Sequence, residues 1–261
     1  MNIKSLGNRM DLAAPNTIEH VIDHGDHITV VTPSFPDYYW GNFIAFPNPP
    51  GSGDYARWTT LYKEEVESRS KVEHVAFSWD AADGRLGDVD AFLEAGFKPD
   101  ICNVMVTDRL IEPPRYDSNI QTRPVETEEE WTAAAWCGSY YGELVERINP
   151  RVQQDQLAWK AVAERGDGYQ YGAFLHDTLV GVVGIFRFEG GAVLDSVVTH
   201  PNHRGKGVAS SMVYDASRHA RSALKVDQLM LATEEDSDAE RIYRRIGFTT
   251  VEKQVGVLKA S

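Results

Sequence analysis

Cysteine is scarce in this sequence: there are two among 261 residues, Cys102 and Cys137, and neither has a cysteine or histidine beside it at ligand spacing. We therefore expect neither a disulfide framework nor a zinc site, and we predict no metal cofactor. Long apolar runs are also missing. None approaches the roughly 20 residues that a membrane span needs, and the N-terminus lacks the apolar centre of a signal peptide. These absences favour a cytoplasmic protein without a membrane partner.

Positive charge is in short supply too, with 26 Lys and Arg against 39 Asp and Glu and a formal net charge of −13. Such a surface repels a phosphate backbone, so we expect no nucleic-acid partner. It is compatible with a cationic or amine substrate, although a well-solvated surface is the simpler explanation. The length suits two domains, and the sequence leaves a homodimer open.

Three histidines near the N-terminus, His20, His24 and His27, could share one helical face and so suggest a metal site. Gly25 interrupts such a helix, and the aspartates beside it are typical of turns. We therefore favour turn chemistry over metal binding in residues 1–27.

The rest of the chain is organised around residues 197–209, VVTHPNHRGKGVA. A β-branched run ends in a proline, two glycines follow beside Arg204 and Lys206, and apolar residues then recur at helical spacing. This order predicts a strand, a turn and a helix. Unpaired N–H groups and the dipole at a helix start attract an anion, and glycines let the backbone close around it. We predict a site for a phosphate-bearing ligand.

The segment 204–209, RGKGVA, resembles the pyrophosphate loop of the GNAT superfamily of N-acetyltransferases, whose pattern is Gln/Arg-x-x-Gly-x-Gly/Ala. A second segment, 239–248 or AERIYRRIGF, resembles the other diagnostic block of that family, Asn-x-x-Ala-x-x-Leu-Tyr-x-x-x-Gly-Phe. Asp236 stands at the Asn position and Ile242 at the Leu position, whereas the Ala, Tyr, Gly and Phe positions match. P-loop and dinucleotide-binding glycine patterns are absent.

The resemblance implies an α/β fold with a central mixed β-sheet flanked by helices. Residues 118–261 would form the catalytic domain, after a linker at 112–119 that contains two prolines. Their expected elements follow the family order: strand, two helices, hairpin, strand, loop helix, strand, helix and terminal strands near 250–253 and 255–259.

Residues 1–117 contain a fainter copy of the same pattern. Aligning Gly96 with the glycine of the second block, and the Phe-Pro at 46–47 with the His-Pro before the loop, puts Gly53 on the second loop glycine. Pro50 then falls where the loop arginine should be, and Asp54 puts a carboxylate where a pyrophosphate should lie. We predict a tandem GNAT protein whose first repeat is degenerate; chance similarity is the alternative.

In proteins of the resembled family, the strand before the loop pairs with the pantetheine arm of acetyl-CoA, and the loop amides hold its pyrophosphate. The resemblance therefore implies acetyl-CoA as cosubstrate. The residues that would bind it are Val197, Val198, Thr199, Arg204, Gly205, Lys206, Gly207, Val208 and Ala209.

The family's chemistry is direct attack of an amine on the thioester, without a covalent enzyme intermediate. Tyr243 matches the family tyrosine that protonates the CoA sulfur, although it could also be a core tyrosine. For the base, Asp195 competes with a water relay, and we expect its side chain on the strand face shared with Val197 and Thr199. Cys137 lies in an alanine-rich helix and should be buried, which argues against a thiol ping-pong enzyme.

We therefore predict an acetyl-CoA-dependent N-acetyltransferase that acts on a primary amine of a small molecule or a protein. Two alternatives stay open. One is a CoA-binding sensor or regulatory protein without turnover, and the other is an acyltransferase that uses a longer acyl group or a hydroxyl acceptor.

Overall fold

The computed structural model describes residues 1–15, 18–140 and 146–260. The helices in these ranges are α1 (Leu6–Ala13), α2 (Asp54–Tyr62), α3 (Asp90–Glu94), α4 (Glu128–Gly138), α5 (Pro150–Glu164), α6 (Val208–Leu224) and α7 (Asp238–Ile246). The strands are β1 (His20–Asp23), β2 (Ile28–Val31), β3 (Phe43–Phe46), β4 (Val75–Trp79), β5 (Lys98–Thr107), β6 (Ile120–Pro124), β7 (Gly168–Leu175), β8 (Thr178–Phe188), β9 (Gly191–Thr199), β10 (Leu229–Glu234) and β11 (Thr249–Lys259). Among the described residues, no helix is both long and apolar enough to cross a membrane.

A first compact unit consists of residues 1–13, 18–104 and 251–260. Its strands lie in the order β1-β2-β3-β4-β11, in which only β3 and β4 are parallel. The last strand of the chain therefore belongs to the sheet of the N-terminal half, where Val257 pairs with Phe77. Aromatic rings fill the core beside this sheet, and Phe46 stacks on Trp58 with 3.8 Å between ring centroids.

A second compact unit consists of residues 14 and 15 and the described part of 105–250. Its strands lie in the order β10-β9-β8-β7-β6, antiparallel except for the parallel pair of β9 and β10. Helices cover both faces. A Cβ added at Gly181 of β8 would contact Met212 of α6, whereas one added at Gly184 would collide with Trp159 of α5. Helix α6 therefore covers one face, and α5 covers the other.

Local sequence signals account for the helices of this unit. Thr127 and Glu130 form both bonds of a capping box at the start of α4, and Asn149 caps α5, which has proline as its first residue. In α6 the residues at every fourth position are buried, which fastens the helix to the sheet: Val208, Met212, Ala216, Ala220 and Leu224.

The two units share a local pattern. The glycines before α2 and α6 adopt nearly the same left-handed conformation, with φ 86° and ψ −7° at Gly53 and φ 85° and ψ −3° at Gly207. Each helix connects two parallel strands. Farther along, Gly96 and Gly247 both have positive φ, and a phenylalanine follows each. These parallels support the predicted duplication, which stays a prediction.

The predicted fold class, a mixed sheet flanked by helices, is confirmed. The two predicted terminal strands are in fact the single strand β11, and α1 and β1 lie in the stretch 1–27 that the sequence left unassigned. The predicted linker 112–119 is anchored on α6, where the Tyr116 hydroxyl donates to Asp215 (3.1 Å) and the Asp117 amide donates to Ser211 (2.9 Å). The domain boundary after residue 117 stays a prediction; the compact units divide the chain within β5 and β11.

Candidate active site

The predicted strand, turn and helix meet at the start of α6. Gly205 and Gly207 both have positive φ, and a Cβ at 207 would lie only 2.7 Å from the carbonyl oxygen of Arg115. The backbone amides of residues 205–210 donate no hydrogen bond to any residue that the structure describes. The next amide along the chain, that of Ser211, donates to the Gly207 carbonyl at 3.0 Å. A run of open N–H groups at a helix N-terminus is a binding site for an anion.

Strand β9 leads into this turn with a free edge. It pairs with β10 only at Ala192 and Val193, although it continues to Thr199. Beyond Val193 its peptide groups on the β10 side are therefore available to an extended ligand, which could add to the edge as another strand would.

A cleft of about 470 Å³ opens where the free edge and the turn meet. Four arginines line it, which suits a ligand with more than one phosphate even though the chain as a whole is acidic: Arg115, Arg204, Arg241 and Arg245. The remaining lining is mainly apolar side chains of α6 and α7.

Arg204 shapes the turn in addition to lining the cleft. Its guanidinium donates to two backbone carbonyls, those of Thr199 (3.1 Å) and Tyr140 (2.6 Å). These bonds tie the turn to the end of β9 and to the residues that follow α4. The arginine therefore fixes the loop conformation as well as contributing charge.

Tyr243 lines the same cleft from α7. Its ring packs edge-on against Phe248, with 6.0 Å between centroids, and only 6% of the residue is exposed. The tyrosine is thus both a core residue and a cleft residue, so the two interpretations offered by the sequence are compatible.

Residues 126–248 match the acetyltransferase (GNAT) family. This part of the chain belongs to the GNAT family. No curated protein matches the sequence. The fold also occurs in a conserved protein of unknown function from Staphylococcus epidermidis, with TM-score 0.71, 14% identity and 94% of each chain covered. It occurs in a GCN5-related N-acetyltransferase from Kribbella flavida, with TM-score 0.65, 14% identity and coverage of 98% of this chain and 96% of the other.

A tandem GNAT protein from the clavulanic acid biosynthesis pathway has the fold as well, with TM-score 0.50 and 16% identity over 78% of this chain and 68% of the other. At these identities the likenesses establish the fold. The family match supports an acyltransferase in the broad sense, and the geometry of the cleft makes it the candidate active site.

The structure contradicts one expectation about Asp195. Ser196 has φ 54°, and the pairing of β8 with β9 shifts register there, as at a β-bulge. Asp195 pairs with Gly184, which faces α5, whereas Thr199 pairs with Gly181, which faces α6. The prediction that Asp195 shares a strand face with Val197 and Thr199 is therefore wrong, because the bulge reverses the alternation of faces between residues 195 and 197. Asp195 does not line the cleft.

On its own face of the GNAT sheet, Asp195 lies in a perturbed environment. Burial raises the pKa of its carboxyl above the ordinary value, and the charge of Asp155 adds to the increase. The Ser196 amide, which donates to the carboxylate at 2.7 Å, and the guanidinium of Arg151 oppose the rise. Arg151 and Asp155 form a salt bridge of 3.0 Å on α5. A raised pKa makes the carboxylate a stronger base, so Asp195 remains a candidate for the base.

Cys137 of the GNAT domain is buried in α4, as its alanine-rich surroundings predicted. Burial raises the pKa of its thiol to about 12. At neutral pH a thiolate fraction of about 10⁻⁵ follows, which leaves no useful nucleophile.

Most of the predicted ligand residues line the cleft: Val197, Thr199, Arg204, Gly205, Gly207, Val208 and Ala209. Val198 is buried and points away from the cleft, and the Lys206 ammonium donates to the Asn202 carbonyl at 2.9 Å. Of the arginines that the sequence analysis missed, Arg241 and Arg245 are four residues apart on the helix of Tyr243 and could have been found. Arg115 gave no signal, because an irregular segment brings it to the turn. The roles of all these residues stay predictions.

Proposed function

We propose that the chain is an acetyl-CoA-dependent N-acetyltransferase, in which an amine attacks the thioester directly in a ternary complex. The observation that carries the proposal is the row of open amides at residues 205–210, which adjoins the free edge of β9 and is surrounded by arginines.

The cleft residues suit a CoA ligand. The open amides and the N-terminus of α6 would hold the pyrophosphate, and Arg241 and Arg245 have the forked geometry that favours phosphate. The free edge at Val197–Thr199 would pair with the amide-bearing pantetheine arm. When bound, acetyl-CoA supplies the activated acyl group; the chain's own residues supply the proton transfers.

Tyr243 is the acid in this proposal. A phenol keeps its proton at neutral pH and can give it to a thiolate that leaves beside it. The hydroxyl would act from the α7 side of the cleft, and the packing of its ring against Phe248 would limit its motion.

The amine would approach from the opposite face of β9, where α5 lies. Asp195 faces that side, and its raised pKa suits a group that takes a proton from an ammonium or from a bridging water. The β-bulge at Ser196 would thus separate the two functions of one strand: residues 197 and 199 on the cosubstrate side, and residue 195 on the acceptor side.

The first unit is a degenerate GNAT repeat in this proposal. Gly53 reproduces the backbone conformation of Gly207, but the Asp54 carboxylate accepts the Gly51 amide at 2.8 Å and pairs with Arg57 at 3.0 Å. A built-in carboxylate thus takes a place that a phosphate oxygen would need. One acetyl-CoA per chain follows, and calorimetry that gave two equal sites would contradict the degeneracy.

The test is a thermal-shift screen of amines in the presence of CoA, followed by measurement of CoA release with the amines that raise the melting temperature. Tyr243→Phe should keep CoA affinity and melting temperature but lower the rate by about 10²–10⁴-fold. Tyr214→Phe is the matched control, because Tyr214 lies on α6 outside the cleft.

Arg204→Glu should weaken CoA binding severely, since it removes both carbonyl bonds and reverses the charge. CoA binding without turnover for any amine would favour a CoA-binding sensor. Turnover only with hydroxyl acceptors or longer acyl groups would redirect the proposal to another acyltransferase. A chain that binds no CoA at all would overturn it.

A further inference from the structure

The turn between β1 and β2 brings two histidines against one carboxylate of the first unit. The Glu65 carboxylate lies 3.2 Å from Nε2 of His24 and 3.0 Å from Nε2 of His27. The two imidazole rings are stacked, with 4.4 Å between centroids and 7° between planes. One nitrogen or oxygen from each of the three residues therefore converges on one small volume, and all lie within 4.8 Å of one another.

The two histidine–carboxylate separations are compatible with ligands around one metal ion. Bonds of about 2.0–2.1 Å to histidine nitrogen or carboxylate oxygen put neighbouring ligand atoms about 3.3 Å apart in a tetrahedron. The separations of 3.0 and 3.2 Å lie close to that value. Because the two imidazole planes are nearly parallel, at least one ring would have to rotate to direct both Nε2 lone pairs at one ion.

Hydrogen-bonding partners hold two of the three side chains in place. Nδ1 of His27 lies 2.8 Å from the Asp26 carboxylate, and the Thr29 hydroxyl donates to Glu65. A carboxylate on the far nitrogen of a histidine fixes the tautomer that leaves Nε2 as a metal ligand. In that tautomer the Nε2 lone pair faces the oxygens of Glu65, a contact that a cation between them would make favourable.

Two irregular backbone segments produce the arrangement. Glu65 lies in the single π-helical turn Lys63–Glu67 at the end of α2, and such turns occur frequently at functional sites. Gly25, with φ 92°, lies in the β1–β2 turn between His24 and His27 and provides the left-handed backbone conformation that this turn needs. The side chain of His24 is 28% exposed, so the cluster can be reached from solvent, whereas the side chain of His27 is 6% exposed and is held by its surroundings.

We propose that His24, His27 and Glu65 bind a divalent transition-metal ion, zinc being the best match for two imidazoles and one carboxylate with a water as fourth ligand. The sequence analysis tested His20, His24 and His27 as ligands and preferred a turn. The turn is present, but the third ligand comes from α2 and not from His20, which lies exposed on β1.

The experiment uses the full chain without a histidine tag, stripped of metal with a chelator. Titration with Co²⁺ should give the ligand-field absorption of a site with nitrogen and oxygen ligands, and calorimetry with Zn²⁺ should give one ion per chain. His24→Ala and Glu65→Gln should each abolish the absorption, whereas His20→Ala, a histidine outside the cluster, should leave it unchanged. Asp26→Asn should weaken Zn²⁺ binding by about 10- to 100-fold, as expected for an outer partner of a ligand.

Folding is monitored separately. Zn²⁺ should raise the melting temperature of the parent chain and of His20→Ala but not of the two ligand variants. His24 is at the surface, so His24→Ala keeps the test valid if Glu65→Gln fails to fold. Absence of Co²⁺ and Zn²⁺ binding in the parent chain would overturn the proposal, and so would loss of binding in His20→Ala equal to that in His24→Ala.

Discussion

Two loop glycines offer a test in which the structure predicts different outcomes for the same substitution. Gly205 and Gly207 have φ of 72° and 85°, so alanine at either position is strained by about 1–2 kcal/mol. A Cβ at 205 meets nothing within 4 Å, whereas a Cβ at 207 lies 2.7 Å from the Arg115 carbonyl oxygen. That contact adds about 1–3 kcal/mol, a typical cost of overpacking. Gly207→Ala should therefore be the more damaging change.

The assay is CoA calorimetry with thermal melting for both variants. If the loop must keep its native shape to bind, Gly207→Ala should bind CoA about 5- to 150-fold more weakly than Gly205→Ala, which is the affinity equivalent of the added contact. The melting temperature should fall by about 2–4 °C for each kcal/mol that the loop retains as strain. Equal affinities for the two alanine variants, or a larger loss for Gly205→Ala, would refute the argument that the close approach of residue 207 shapes the site.

Three further predictions follow from buried groups of the second unit. Cys137→Ser should keep near-parental turnover, because a thiol with a pKa of about 12 is not a nucleophile; loss of turnover in a folded variant would reopen the ping-pong mechanism. Asp195→Asn should lower the rate by about 10²–10⁴-fold yet raise the melting temperature at pH 8. Burial raises the pKa of that carboxyl, so ionisation destabilises the fold as pH rises through it, and the gain should vanish at low pH; a gain independent of pH would contradict this. Gly184→Ala should destabilise by about 1–3 kcal/mol, because its Cβ would lie 2.1 Å from the Trp159 ring; Gly51→Ala, with an ordinary 3.7 Å contact, is the control, and equal stability of the two would refute the packing argument.

Local patterns account for what the sequence could predict. The strand, turn and helix around residues 191–224 were recognisable because periodicity, glycine and charge all indicate the same local structure. Helix α5 begins with an asparagine cap and a proline, which are local signals of a helix start. The glycine-containing turn at 204–209 and Tyr243 could be located because their spacing is set within single turns of backbone.

Features set by distant contacts were not recognisable. The bulge at Ser196 contains no glycine, so no signal in the sequence indicates it, and Asp195 was predicted on the wrong face of β9. Helix α1 is polar, and its buried residues include Asn8, which donates to the Trp79 carbonyl at 3.1 Å. Glu65 lies 38 residues from His27, and no spacing rule connects them.

The position of β11 has a consequence for the synthesis of the protein. The first unit begins with β1–β4, but the strand that pairs with β4 comes from residues 255–259. A ribosome must therefore make the roughly 150 residues of the second unit, about 7–30 s of translation, before that edge of β4 can be covered. An uncovered strand edge can pair with strands of other chains, so the nascent chain exposes an aggregation-prone edge throughout this interval. The sheet of the first unit therefore cannot be completed until residues 255–259 have been made, and a ribosome that terminates early releases a chain in which that sheet lacks a strand.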